Sequence, residues 1–319
     1  MELRHLRYFI AVATAKNFTR AAEAMHVSQP SLSVQIRDLE EELGARLFDR
    51  LGRSIALTQA GLVFLEHAER AIRELERGAQ VVGEVHGAQR GRLAVGTLAT
   101  VNSYLIPPVV SRFKQRFPGV HLQVHSQPSM DIVDGLVGDR LDLGLCLLPV
   151  SREQLTTVRL FEERLVLIVP KRYPLTQSRL RMRDLGGLPL VLMPTDYCLR
   201  KMVEVECARA HVSPHVVLEM TSPEGILQAV EGGAGLSILP ELYVRCRQRG
   251  PDVRVIDLHE PVPQHSVGLV YKTNRYQNLA AREFGLLCRT IMDEMPAGRL
   301  SPGIHPPVLK AGARKQRAS

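Results

Sequence analysis

The chain has 319 residues, 45% of them apolar, with a net charge of +8 and five cysteines. That length suits two or three domains with real cores. No apolar run approaches the roughly 20 residues of a bilayer span, so no membrane-spanning helix is expected. Charge decides less than its total suggests, because Arg299, Lys310, Arg314, Lys315 and Arg317 place +5 of it in a tail without acids. Residues 1–60 carry 8 Lys/Arg against 7 Asp/Glu, so phosphate binding there has to come from placement rather than bulk charge. Five cysteines without a paired framework, and a start (Met-Glu-Leu-Arg-His) without an apolar secretory segment, predict a soluble cytoplasmic protein with no membrane partner.

In chain order, residues 2–15 read as a first helix with Leu3, Leu6, Phe9, Ile10 and Ala13 inward. The stretch Asn17–Leu43 reads as two short helices joined by a tight turn. Phe18, Ala21, Ala22 and Met25 share a face of the first, and His26-Val27-Ser28 breaks the pattern. Ser28 or Gln29 caps the second, with Pro30 in the first turn, where a missing N–H costs nothing. Leu32, Ile36, Leu39 and Leu43 form its apolar stripe. Gln29, Ser33, Val34 and Arg37 lie opposite, a surface suited to a DNA major groove, where helix N-termini meet phosphates and side chains reach base edges. An ordinary helical hairpin is the plain alternative.

Residues 46–57 (RLFDRLGRSIAL) read as a hairpin wing around Gly52, with Arg50 and Arg53 at or beside its tip. The candidate DNA contacts are Arg20, Ser28, Gln29, Pro30, Ser31, Ser33, Val34, Arg37, Arg50 and Arg53, with the acids Glu40, Glu41 and Glu42 expected to turn away. Thr58 caps a long helix to about His86, in which Leu65, Ala68, Ile72, Leu75, Ala79 and Val82 step by three and four. One apolar seam with charges all round calls for a partner helix, so a homodimer is expected. Residues 87–91 (GAQRG) read as a joint.

From Arg92 short apolar strands alternate with helical segments, which predicts parallel α/β sheets in two small lobes. Ligands of such folds sit where helices start beyond the strand ends. Three places qualify. One holds Thr97, Ala99, Thr100 and Val101, the next Ser129 and Met130, and the third Thr195, Asp196, Tyr197 and Cys198. Each hydroxyl taken singly is also an ordinary N-cap. Residues 296–319, rich in Pro, Gly and cations, read as a disordered basic tail.

The runs Phe18-Thr19-Arg20-Ala21-Ala22, Val27-Ser28-Gln29-Pro30-Ser31-Leu32-Ser33, Leu39-Glu40, Leu43-Gly44, Leu47-Phe48-Asp49-Arg50 and Leu57-Thr58-Gln59-Ala60-Gly61 together resemble the N-terminal signature of LysR-type transcriptional regulators. Val34 stands where many relatives carry Arg. The resemblance implies an α+β multidomain chain: a winged helix-turn-helix (1–57), a linker and dimerisation helix (58–91), and a two-lobed effector domain (92–295) similar to periplasmic binding proteins. One lobe would span 92–163 plus 268–295 and the other 164–267. It implies a homodimer or a tetramer built as a dimer of dimers, double-stranded promoter DNA and RNA polymerase as partners, and a small effector, often an anion, near Thr97, Thr100, Ser129 and Thr195.

Cys198-Leu199-Arg200 with Cys207 nine residues on resembles the thiol pair of the family's peroxide-sensing branch, which makes redox sensing the alternative. Nine residues along a helix put two thiols on opposite faces, about 13.5 Å apart in rise, so they could bond only if the helix unwound. Arg200 and Lys201, close to a helix start, would favour a reactive Cys198. Tyr197 and Glu219 resemble more the branch with the cyanate-responsive regulator. Enzymatic and metal signatures such as Gly-x-Ser-x-Gly, Cys-x-x-Cys and His-Glu-x-x-His are absent from the sequence, so no catalysis, metal or cofactor is expected. A transporter's solute-binding protein or a two-lobed α/β enzyme remains a remote rival.

Overall fold

The computed structural model describes residues 1–51, 54–85, 90–246 and 252–295; the tip of the wing with Arg53, part of the joint and the basic tail lie outside them. The chain divides into two units, Met1–Ala88 and Gln89–Ser319.

The first unit holds α1 (Leu3–Ala15), α2 (Phe18–Ala24), α3 (Gln29–Leu43), a hairpin of β1 (Phe48–Leu51) and β2 (Ser54–Leu57), and α4 (Gln59–Val85). Its helix ends are written in local chemistry. The Asn17 side chain accepts from the Arg20 N–H at 3.0 Å. Ser28, rather than Gln29, caps α3, accepting from the Ser31 N–H at 3.3 Å. Gly44 closes α3 in the left-handed region (φ +65°), which glycine adopts without a Cβ penalty.

Leu6, Phe9, Val12, Phe18, Ala21, Ala22, Leu32, Ile36 and Leu39 close over Leu47 and Phe48. The Phe9 ring lies 5.3 Å from that of Phe48 and 5.2 Å from that of Phe64. Leu3 and Leu43, expected inward, are 39% and 38% exposed, and Val12 completes the α1 stripe instead. Both outliers sit in a terminal turn, beyond the reach of this small core. Of the three acids expected to turn away, Glu40 points inward, its Oε1 accepting from the N–H groups of Leu47 (2.7 Å) and Phe48 (3.1 Å). Glu42 pairs with the terminal amine. Glu41 does not turn away: one helical turn on from Arg37, it lies 3.6 Å from that guanidinium.

Thr58 Oγ1 accepts from the Gly61 N–H (2.9 Å) and donates to the Arg46 carbonyl (2.7 Å), starting α4 against the hairpin. The seam of α4 then splits. Ala68 is buried, with Phe64, Leu65 and Ile72 packed on the headpiece core. Further along, Leu75 (57%) and Val82 (60%) are open, as is Ala79.

The second unit contains β3 (Gly91–Thr97), α5 (Ala99–Tyr104), α6 (Ile106–Arg116), β4 (Val120–Ser126), α7 (Ser129–Val137), β5 (Leu143–Leu148), β6 (Leu155–Pro170), β7 (Arg179–Arg181), β8 (Pro189–Leu192), α8 (Cys198–Arg209), β9 (His215–Glu219), α9 (Pro223–Glu231), β10 (Ser237–Pro240), α10 (Glu241–Arg245), β11 (Val253–His259), β12 (Gln264–Lys272) and α11 (Leu279–Glu294). The main sheet runs β4-β3-β5-β12-β6-β11-β7, with β10 also on β6, and β8-β9 stand apart. Its arrangement corrects the expectation of purely parallel sheets. β3 is parallel to β4 and β5, β8 to β9, and β7 to β11, but the centre is antiparallel: β12 against β5 and β6, and β10 and β11 against β6.

The cause is the length of β6. Sixteen residues at about 3.3 Å each exceed one lobe, so the first part pairs with β12 and residues 165–170 pair with β10 and β11. Thr156, Thr157, Arg159, Glu162 and Glu163 interrupt its apolar pattern, and for that reason sequence patterning shows only Leu165–Val169. Among the described residues no helix is long and apolar enough to cross a membrane.

Gly61 is where the first unit tolerates least. A Cβ there would lie 2.1 Å from the Leu47 carbonyl oxygen, whereas one at Gly78 would meet nothing within 4 Å. Gly61→Ala is expected to destabilise the headpiece by about 1–3 kcal/mol, read as a lower urea midpoint. Gly78→Ala should leave that midpoint unchanged or raise it.

Candidate functional site

Two surfaces carry the candidate residues, one in each unit. On the first, Arg20, Ser28, Gln29, Pro30, Ser31, Val34 and Arg37 are exposed and Ser33 is half-buried. Gln29 Nε2 donates to Ser33 Oγ at 2.9 Å, a link open to exchange for a base edge. The Arg37 head is 62% exposed, 3.6 Å from Glu41 and 3.8 Å from Asp38; such surface pairs are weak and easily surrendered. Val34, 42% exposed, is an apolar spot on this polar face, suited to a thymine methyl. Arg50 lies on β1 opposite Ile55.

The second surface is a cavity of about 300 Å³ in the C-terminal unit. Of the ten residues proposed from sequence, Ala99, Thr100, Ser129, Tyr197 and Cys198 are on its wall. Met130 lines a neighbouring cavity of about 520 Å³ that shares Ser129, Leu147 and Cys198. The other four are elsewhere. Thr97 is fully buried at the end of β3 and Val101 belongs to the core. Thr195 and Asp196 are exposed, because the Tyr197 N–H bonds to the Pro194 carbonyl at 3.1 Å, making a turn that throws the two residues between them outward.

Sequence reasoning missed Gln127, Thr221, Ser222 and His265 on the same wall. Ser222-Pro223 repeats the cap-plus-proline pattern of α3, its Oγ accepting from the Gly225 N–H at 3.2 Å, so that segment was open to discovery. His265 carries no local signal, since its setting is made by a distant strand.

Helices α5, α7 and α8 begin at this wall without a side-chain cap, leaving N–H groups and the positive ends of helix dipoles for a ligand. No lining residue is Asp, Glu, Lys or Arg. Arg200 is buried behind the wall, where Nη1 donates to the Met193 carbonyl (2.9 Å) and to Glu219 (2.8 Å), and Nε to Glu204 (2.7 Å). It ties the end of β8 and the start of α8 to β9. Its charge is balanced there rather than turned toward Cys198, against the sequence expectation.

The thiols differ sharply. Cys198 is half-buried on the wall. Cys207 is fully buried beside Val203 in a separate core, and burial, reinforced by Glu204 and Glu206, pushes its thiol up to about 11. Burial pushes Cys146 up to about 12, against a hydrogen bond with Ser129 that acts the other way. Among the described residues no group of three or more His, Cys, Asp or Glu could hold a metal ion.

Comparison with known proteins identifies both units. Residues 3–62 match the model of the bacterial regulatory helix-turn-helix protein, lysR family, and residues 86–293 that of the LysR substrate binding domain. The hydrogen peroxide-inducible genes activator of Dickeya chrysanthemi is 32% identical over 88% of this chain and 94% of its own. The uncharacterized HTH-type transcriptional regulator YwbI of Bacillus subtilis is 31% identical over 88% and 94%. Among solved structures, a full-length single-substitution variant of OxyR from Pseudomonas aeruginosa superposes with a TM-score of 0.71 at 27% identity, covering 91% of this chain and 95% of that one. CbnR, a LysR family transcriptional regulator, superposes with a TM-score of 0.70 at 25% identity, covering 91% and 99%. Fold and surfaces thus define a DNA-binding regulator with an effector-binding domain. The chain belongs to the LysR family of transcriptional regulators.

A thiolate, not a thiol, is the nucleophile, and a group at about 11 is ionised to roughly one part in 10⁴ at pH 7. Alkylation of the native protein at neutral pH should therefore spare Cys146, Cys207 and Cys288, all buried, and modify Cys198. Mass spectrometry should find all five cysteines modified after unfolding in urea.

Proposed function

We propose that this LysR-type regulator controls transcription in the bacterial cytoplasm as a homodimer or a dimer of dimers, and that a small anion in the cleft near Thr100, Ser129 and Cys198 sets its activity. The headpiece (1–57) reads double-stranded promoter DNA through α3 and the wing. The helix of residues 58–91 pairs protomers along Leu75, Ala79 and Val82, and the effector domain (92–295) contacts RNA polymerase when occupied. We assign the chain no enzymatic activity.

The observation that carries the effector reading is the cavity wall itself. Four helix starts meet there, three without side-chain caps; Asp131 and Glu224 stand in the first turns of α7 and α9, but no carboxylate is on the wall. Such a wall favours negative charge. The hydroxyls of Thr100, Ser129, Thr221 and Ser222 supply further donors. Occupancy matters for regulation only if the ligand prefers one arrangement of the lobes, since equal affinity for two states shifts neither.

A second reading rests on a different observation, that the half-buried Cys198 thiol lies on the same cavity wall. Peroxide entering the cleft would oxidise Cys198, and Cys207 could close a disulfide only after α8 unwinds. Promoter response to peroxide in Cys198→Ser decides between the readings. An unchanged response leaves the ligand reading alone, and a lost one favours the thiol.

Two outcomes check the proposal as a whole. Gln29→Ala and Arg37→Ala should each weaken promoter binding by about 10- to 100-fold, as expected for a lost base contact of 1–3 kcal/mol, with the thermal midpoint unchanged. A thermal-shift series of small anions on the full chain should raise the midpoint of the effector domain. Thr100→Val should reduce that rise, with promoter affinity kept in the absence of ligand. If no anion of the series moves the midpoint, the effector reading is wrong.

A further inference from the structure

The fold of the headpiece does not explain Val34. α3 buries Leu32, Ile36 and Leu39, and at about 100° per residue Val34 lies about 140–160° from each of them around the helix axis. It therefore stands at the middle of the outward face, 42% exposed. A β-branched residue is also among the weaker helix formers, so neither packing nor propensity accounts for valine there. One turn earlier on the same face is Pro30, also exposed. The two make an apolar strip on a face whose other exposed residues, Ser31, Arg37 and Glu41, are polar.

The place of that strip along the helix limits what it can meet. Recognition helices present their N-terminal residues to base edges, and Val34 is the sixth residue of α3. Beyond it the same face turns acidic, with Asp38 one turn on and Glu41 two turns on, at 3.8 and 3.6 Å from the Arg37 guanidinium. Carboxylates are repelled by phosphates and can accept only from the exocyclic amines of the bases, so base reading is concentrated in the first two turns. An apolar branched side chain has one partner there. Of the groups that the four base pairs present in the major groove, only the thymine C5-methyl is apolar. Against guanine, cytosine or adenine the same side chain would cover a polar edge without satisfying it, which is costly. A methyl pressed against Val34 and Pro30 leaves water with no polar atom stranded.

We propose that Val34 is a specificity-determining residue that selects thymine at one position of each DNA half-site by packing on the C5-methyl group of that base. The inference rests on the reading of α3 as the helix that enters the major groove, and it names the base chosen at the centre of its face. The feature recognised is the methyl rather than the base pair as a whole. 5-Methylcytosine therefore offers the contact that plain cytosine lacks.

The test begins with the full chain and a pool of random-sequence duplexes, from which tight binders are selected and a consensus is read. In one selected duplex, each thymine of either strand is then replaced in turn by deoxyuridine, which removes the methyl and keeps every hydrogen-bonding group. One thymine per half-site should respond, its loss of methyl weakening binding about fourfold, the factor for burying one methyl-sized group. In Val34→Ala, which withdraws both γ-methyls, the same replacement should cost less than about twofold, because the contact it removes is already lost. At that position a 5-methylcytosine·guanine pair should bind the unaltered chain about fourfold more tightly than cytosine·guanine, and Val34→Ala should not separate the two. Selection with Val34→Arg should replace the thymine by guanine, whose O6 and N7 suit a guanidinium. The thermal midpoint of Val34→Ala should hold or rise, since alanine is the better helix former. Deoxyuridine that is harmless at every thymine, or as harmful in Val34→Ala as in the unaltered chain, overturns the inference. If Gln29→Ala and Arg37→Ala still weaken binding in that case, α3 remains the reading helix. If they too are silent, or selection returns no consensus, that reading falls with it. The deoxyuridine series on the unaltered chain needs no variant to fold.

Discussion

The pairing of β6 with β12 is the constraint on which the effector domain depends. β6 runs through both lobes, its first part against β12 and residues 165–170 against β10 and β11, and the chain crosses back through the short segment 260–263 between β11 and β12. A buried carboxylate and imidazole lie at that crossing. Groups of this kind are costly to bury without partners. Their cost is offset by each other.

The wall of that cleft gathers several helix starts and has no lysine or arginine among its lining residues. Helices α5 and α7 follow β3 and β4 of the main sheet, α8 and α9 follow β8 and β9 of the small one, and all four start at this wall. The arginine nearest by sequence, Arg200, does structural work behind the wall, its guanidinium shared among a backbone carbonyl and two carboxylates. Placing it there holds the start of α8 rigidly while keeping its charge away from ligand and thiol. The arrangement explains how a relative of peroxide-inducible activators carries Cys198 at the cavity while Cys207 lies in a separate core.

The headpiece follows a different logic, in which nearly every decision is local. Asn17, Ser28, Gly44 and Thr58 each set a helix boundary through a bond or a dihedral within a few residues. The helices so defined have one apolar stripe, and those stripes can be buried only against each other. Longer ties come from Glu40, which turns back from α3 to hold the start of the hairpin, and from Thr58, which donates to the Arg46 carbonyl. The polar face of α3 is what remains exposed once the stripe is covered.

The amino-acid sequence by itself determined the helix-turn-helix, the long seam of α4, the alternation of strands and helices, and the placing of Thr100, Ser129 and Cys198 near helix starts. Caps, prolines and apolar periodicity act over a few residues, and such signals survive in one dimension. The tertiary structure alone decided that the centre of the sheet is antiparallel, because Glu162, Glu163 and their polar neighbours hide half of β6 from any reading of apolar runs. It alone turned Thr195 and Asp196 outward, through a single backbone bond in a tight turn. It also joined His265 to Glu163 across 102 residues of chain. Contacts between residues so far apart are made by the register of strands, which no local pattern records.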